Sequence, residues 1–283
     1  MKNIVINSSF GHEIMACKFA STYGVKILIA PKKDNKDEYN TEAERILRIM
    51  SFFYDKVEIV PFEERNTIDA WDIIGELKAG TLPDKVWNDF FKSVLIPTRP
   101  APVEYPELEK TTNLLFVPQK LISDGACGLD AAQQSLTPTV FEFLKHIDGV
   151  RLVLGQHFHK LNDKSVVDAL AKEFGLYVPG TMSNPDVYGI RGVAHEMLYP
   201  VYSGCDFCVG IAGTHTWLIL AMCPWIRMVI VANKNLTEHW DAIVKAAKSA
   251  GREVELVEFD ENMTGKEIAE RIQEACSSLD FPA

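Results

Sequence analysis

Ser203–Leu218 reads SGCDFCVGIAGTHTWL, and the order of its residue types decides the fold: an apolar run, a Gly-Thr-His-Thr turn, then a second apolar run. Phe207 to Ile211 have the unbroken apolar character of a parallel strand covered on both faces, and Trp217 to Met222 continue as a buried helix. Between them Gly213 lets the backbone approach a ligand. Thr214 or Thr216 can cap the helix and leave free amide donors facing the strand's carboxyl end, the corner at which open α/β sheets hold phosphates. A capped helix with no ligand satisfies the same residues.

Working outward from this corner, strand and helix signals alternate. Strands are expected at Asn113–Val117, Val150–Leu154, Leu176–Val178, Arg227–Ala232 and Glu253–Phe259. Helices are expected around Pro138–His146, Lys164–Phe174, Val193–Tyr199 and Glu238–Ala250. This alternation predicts a doubly wound domain over residues 109–262. A last helix, Thr264–Ser277 within 263–283, carries Ile268, Ile272 and Cys276 on one face and is expected to pack back onto the first domain.

The N-terminal part, residues 1–108, begins in the same way. A strand Asn3–Asn7, a turn Ser8–Gly11, a helix to Thr22 and a strand Val25–Ala30 make a βαβ unit. A helix Thr41–Tyr54, opened by a capping box of Thr41 and Glu44, leads to a strand Val57–Pro61. Residues 67–94 then read as a helical insertion broken at Gly80 and Pro83, in which Trp71, Trp87, Phe90 and Phe91 supply a core or line an acceptor cleft. Four prolines in Pro97–Lys110 mark the linker. The fold class is therefore α/β, with two Rossmann-like doubly wound domains and a cleft between them.

A length of 283 residues accommodates two domains, and no apolar run reaches the roughly 20 residues needed to cross a bilayer. The first residues read as a strand and not as a signal peptide, so the expected location is cytoplasmic. Six cysteines scattered through apolar segments suit a reducing compartment. Cys205 and Cys208 form a CxxC without a second pair, which speaks against zinc. A net charge of −10 disfavours a broad nucleic-acid surface.

Two short places carry a resemblance. Ser8-Ser9-Phe10-Gly11 follows the first strand, with His12 next, and Ala212-Gly213-Thr214 precedes Trp217-Leu218, with His215 between them. Together they resemble the GT-B glycosyltransferases, and among these the ADP-heptose-type heptosyltransferases. That family has an aspartate where His12 stands, an aspartate at the place of Ala212 and a histidine at the place of Trp217. The resemblance implies a GT-B fold, a nucleotide-diphosphate sugar as donor, a hydroxyl-bearing acceptor such as a glycan, and Gly11 in the donor site.

Such a transfer must stabilise a departing nucleotide diphosphate and deprotonate an acceptor hydroxyl. For the first task the candidates are the amides of Gly213, Thr214, His215 and Thr216 at a helix start, with Lys120, His157, His159 and Lys160 following strands at the same sheet edge. His157 and His159 also have the i, i+2 spacing of a metal pair, without a third ligand nearby in sequence, or form a solvated loop. Arg191 and His195 join the donor set or solvate a helix, and Glu196 is a candidate for ribose hydroxyls. His12 and Glu13, at the start of the first helix, are the candidate bases or a simple capping pair. The chain has no Asp-x-Asp, so transfer without a metal and without a separate cofactor is expected. Rival functions are a sugar-nucleotide epimerase, a phage-type DNA-base glycosyltransferase, and a non-catalytic sugar-nucleotide sensor.

Overall fold

A computed structural model describes residues 2–7, 12–78, 81–93, 112–117, 147, 150–154, 202, 204–234, 237–260 and 262–281. It is an α/β protein built on two parallel sheets, and the chain divides into two compact units, Met1–Pro97 and Thr98–Ala283. The expected linker, and the elements expected at 138–146, 164–174, 176–178 and 193–199, lie outside the described residues.

The first unit runs β1 (Ile4–Ile6), α1 (His12–Tyr23), β2 (Ile27–Ile29), α2 (Lys36–Phe53) and β3 (Val57–Ile59). A 3-10 turn (Phe62–Glu64) and helices α3 (Ile73–Lys78) and α4 (Asp84–Lys92) follow. The strands pair in parallel in the order β1-β2-β3, with Ile4 opposite Ile27 and Ile27 opposite Val57. Ile4, Ile6, Ile27 and Ile29 are fully buried, and the alternate residues Val5 and Leu28 are half-buried, the period-2 signature of a sheet more deeply covered on one face.

Two expectations for this unit are corrected. Helix α2 begins at Lys36 and not at Thr41, because Asn35 is the cap: its Oδ1 accepts from the Glu38 amide at 2.8 Å. Thr41 lies inside the helix and donates its hydroxyl to the Asp37 carbonyl. Nor does the sheet pattern stop at β3, since Trp71 makes a parallel bridge to Ile4 on the free edge of β1. There the Trp71 amide donates to Asn3 and its carbonyl accepts from Val5. The insertion itself divides into α3 and α4 on either side of Gly80 and Pro83, and Trp87, Phe90 and Phe91 are buried, Trp87 and Phe90 packing against Phe19 of α1 and Phe91 against Trp87 and Phe90.

The second unit contains β4 (Thr112–Val117), β5 (Val150–Leu154), β6 (Phe207–Ile211), α5 (Thr214–Met222), β7 (Arg227–Asn233), α6 (Thr237–Ser249), β8 (Val254–Phe259) and α7 (Gly265–Ser278). Its described strand pairs are all parallel, in the order β5-β4-β6-β7-β8. From β4 the chain steps outward to β5, then returns to the opposite side of β4 as β6. That reversal makes the β4/β6 boundary the topological switch point, the place where the carboxyl ends of an open parallel sheet part to form a crevice.

Helix α7 starts at a capping box in which Thr264 and Glu267 satisfy each other's amides. Its buried residues Ile268, Ile272 and Cys276 form the face foreseen from sequence, and the helix packs on β8 and β7 of its own sheet. Those two strands otherwise leave one face open to water, and covering it buries apolar area on both partners. No described helix is long and apolar enough to cross a membrane.

Candidate functional site at the β6–α5 corner

Every residue of β6 is buried, as its unbroken apolar sequence requires. Asn113 of β4 fastens the entry to this strand by donating from Nδ2 to the Gly204 carbonyl at 2.9 Å. At the exit, the Ala212 amide donates to Val231 of β7, and Gly213 is fully extended at φ 169° and ψ −177°. The first α-helical bond of α5 runs from the Trp217 amide to the Gly213 carbonyl at 3.0 Å. Gly213, the N-cap residue, makes no side-chain hydrogen bond to the helix. The amides of the first turn therefore keep the donor capacity, and the partial positive charge, that an N-cap side chain would otherwise occupy. They do so beside the switch point, next to the carboxyl end of β4.

Thr216 has a different role from the capping one expected. It is fully buried, and its Oγ1 donates to the Ile211 carbonyl at 2.6 Å, closing the last turn of strand onto the first turn of helix. Trp217, at the place where the resembling family has a histidine, is 5% exposed and belongs to the core. Thr214 and His215 open α5, and His12 opens α1. Gly11, Lys120, His157, His159, Lys160, Arg191, His195 and Glu196 lie outside the described residues.

Glu13 sits in the first turn of α1, after the carboxyl end of β1, but its carboxylate turns toward α2 and is 1% exposed. Oε1 meets Nη2 of Arg45 at 3.5 Å, while Arg45 makes shorter bonds, 2.8 and 2.9 Å, to Glu42. Burial pushes the Glu13 carboxyl up to about 7, against the opposing pull of its backbone hydrogen bond and of Arg45. Oε2 has no hydrogen-bond partner among the described residues. An α1 residue one position past the helix start thus points across to α2.

Cys205 and Cys208 are both buried thiols outside any disulfide, and burial together with neighbouring thiols pushes Cys208 well above its ordinary value. A thiol held protonated is a poor nucleophile and a poor metal ligand. Among the described residues no cluster of His, Cys, Asp and Glu has the grouping to hold a metal ion.

Three residues of the corner went unread in the sequence. Gly210 is a strand glycine that a closer reading would have flagged as a point of close approach, and a Cβ there would lie 2.7 Å from Thr216 Oγ1. Asn233, buried, ends β7 at the same sheet edge. Arg252, also buried, donates from Nη1 to Leu220 and from Nη2 to Cys223, both at 2.6 Å, and so holds the far end of α5. Comparison of the chain with known family models, curated proteins and solved structures finds no match.

Proposed function

We propose that the chain is a glycosyltransferase of the two-domain GT-B kind, transferring a sugar from a nucleotide diphosphate to an acceptor hydroxyl without a metal ion. The observation that supports this reading best is the start of α5 at the β4/β6 switch point, where the N-cap residue makes no side-chain hydrogen bond to the helix. A leaving diphosphate needs donors already aimed at the oxygens that gain charge, and the amides of a first helical turn supply them without reorganisation. In this reading Gly213, Thr214, His215 and Thr216 contribute backbone amides. Lys120, His157, His159, Lys160, Arg191 and His195 contribute charge, Gly11 contributes backbone, and Glu196 takes the ribose hydroxyls.

For the base, the reading favours His12 over Glu13, because a carboxyl closed against Arg45 has no path to a substrate proton without a change of rotamer. A second reading, a sugar-nucleotide-binding protein without turnover, is favoured by the burial of both Glu13 and Trp217. One experiment tests both: a thermal-shift panel of nucleotide diphosphates and their sugars, followed by product analysis with each donor that binds. A donor present at 100-fold its dissociation constant stabilises by about 2.7 kcal/mol. Binding with transfer, or with slow donor hydrolysis, supports the transferase; binding without either supports the sensor; no binding by any nucleotide refutes both.

A further inference from the structure

A cleft of about 620 Å³ opens in the first unit at the carboxyl ends of β1 and β2. Its polar lining comes from Asn7 after β1, from Lys32, Lys33 and Asp34 after β2, and from Arg65 and Asn66 after the 3-10 turn. Among the described lining residues there are thus three cations and one carboxylate, in a chain whose net charge is −10. Local charge of the sign opposite to the whole is a physical cue to a ligand, since it concentrates counter-charge at one concave place.

Arg65 is held in position before any ligand arrives. Nη1 donates to the Phe62 carbonyl at 2.8 Å, and the guanidinium carbon lies 3.7 Å from the centre of the Phe62 ring, which Tyr39 supports edge-on. Two anchors leave the remaining N–H groups of the fork to serve as donors. Among the described residues no carboxylate forms an ion pair with Arg65, Lys32 or Lys33. Glu63, in the same turn, forms its ion pair with Lys36 at 2.7 Å.

The geometry points to a binding site for a phosphorylated sugar in this cleft. A fixed guanidinium fork with lysines beside it matches the tetrahedral, multiply charged phosphate better than a single carboxylate. Asp34, Asn7 and Asn66 add acceptors and amide donors of the kind that read sugar hydroxyls. The volume lies within the range of small-molecule sites, and the carboxyl edge of a parallel sheet is where such sites form. Every described lining residue belongs to the first unit, so the inference stands apart from the reading of the β6–α5 corner.

The test titrates the full chain, without any nucleotide, with glucose 6-phosphate, inorganic phosphate and glucose by calorimetry and thermal shift. Glucose 6-phosphate is expected to bind, inorganic phosphate to compete with it more weakly, and glucose at the same concentration to do neither. The double variant Lys33→Ala, Arg65→Gln is expected to weaken glucose 6-phosphate at least about tenfold, the size of one lost charge-assisted contact. Lys32→Ala, at an exposed position, gives a second reading of the same loss should the double variant unfold. A control pair removed from the cleft, Lys85→Ala with Lys266→Ala, is expected to change nothing. The inference is overturned if neither phosphate compound binds, if the control pair loses as much affinity as the cleft variants, or if inorganic phosphate binds as tightly as the sugar phosphate. Nucleotide binding in the cleft variants, measured separately, is expected to match the unaltered protein.

Discussion

Gly210 in β6 and Thr216 in α5 occupy one another's space: a Cβ added at Gly210 would stand 2.7 Å from Thr216 Oγ1 and 2.8 Å from its Cγ2. The same hydroxyl donates to Ile211, so neither atom of Thr216 is free to rotate away. Gly210→Ala is therefore expected to destabilise the protein by about 1–3 kcal/mol, the usual cost of overpacking a filled core. The combination with Thr216→Ala should cost less than the sum of the two single changes, by a coupling of roughly 0.5–3 kcal/mol. Urea unfolding of the four proteins measures it, and strictly additive losses would show that the two residues do not share this space.

The buried Glu13 makes stability depend on pH in the direction opposite to most acids. Its carboxyl titrates near 7 in the folded chain against 4.5 as its ordinary value, so between those values the folded state holds the proton more tightly. Protonated Glu13 is the form the fold favours; its contribution is complete below about pH 4.5 and is lost as pH rises through about 7. Glu13→Gln, which resembles the protonated form, is expected to be more stable than the unaltered protein at pH 8, by roughly 3 kcal/mol at most. The gap should narrow steadily toward pH 5. Denaturation at a series of pH values checks this, and a gap independent of pH would mean that Glu13 is ionised throughout.

Arg252 closes the carboxyl end of α5, whose Leu220 and Cys223 carbonyls both accept from its guanidinium. Burial lowers its proton affinity to about 10, which leaves the charge in place at neutral pH. Lysine offers one ammonium where the site requires a fork, so Arg252→Lys is expected to lose roughly 1–3 kcal/mol. A lower urea midpoint at unchanged m-value is the expected observation. An unchanged midpoint would show that water or a rearranged helix end replaces these bonds.

Period and composition made most of the described elements legible. The strand Val150–Leu154 has the limits expected of it although Arg151 interrupts its apolar run, and Phe207–Ile211 has its expected limits because a strand buried throughout has no polar residue to blur its ends. Helix α2 was misread at its start, since Asn35 with Glu38 and Thr41 with Glu44 offer the same kind of capping signal, and only the described hydrogen bonds choose between them. Trp71 gave no strand signal because its bridge to Ile4 is a single pair, too short for any alternation. At the candidate site the sequence marked the turn but not its packing. That Thr216 turns inward onto Gly210 depends on how β6 meets α5, a contact across six positions which no local pattern encodes. The cations of the first-unit cleft were equally silent, because Lys32 and Lys33 follow β2 while Arg65 follows the 3-10 turn, and only the fold brings the two connections to one cleft.

The position of Gly213 gives a way to set stability against ligand binding in one substitution. Its backbone is extended, a conformation open to any residue, and as the N-cap residue it offers the helix no side-chain hydrogen bond. Aspartate is among the preferred caps, so Gly213→Asp is expected to leave stability unchanged or raise it by a few tenths of a kcal/mol. Its carboxylate would take the amides that a diphosphate needs and repel the phosphate charge. Nucleotide diphosphate binding should then fall by at least about tenfold while the melting temperature holds or rises. Gly213→Asn, a neutral cap of nearly the same shape, should weaken binding less, which separates charge from simple filling of the turn. Transfer by the unaltered protein is expected to survive a chelator, because the proposed site stabilises the leaving diphosphate with amides and side-chain cations. Undiminished nucleotide binding in Gly213→Asp would remove the β6–α5 corner as the donor site, and complete loss of transfer on chelation, restored by magnesium or manganese, would replace those amides with a metal ion.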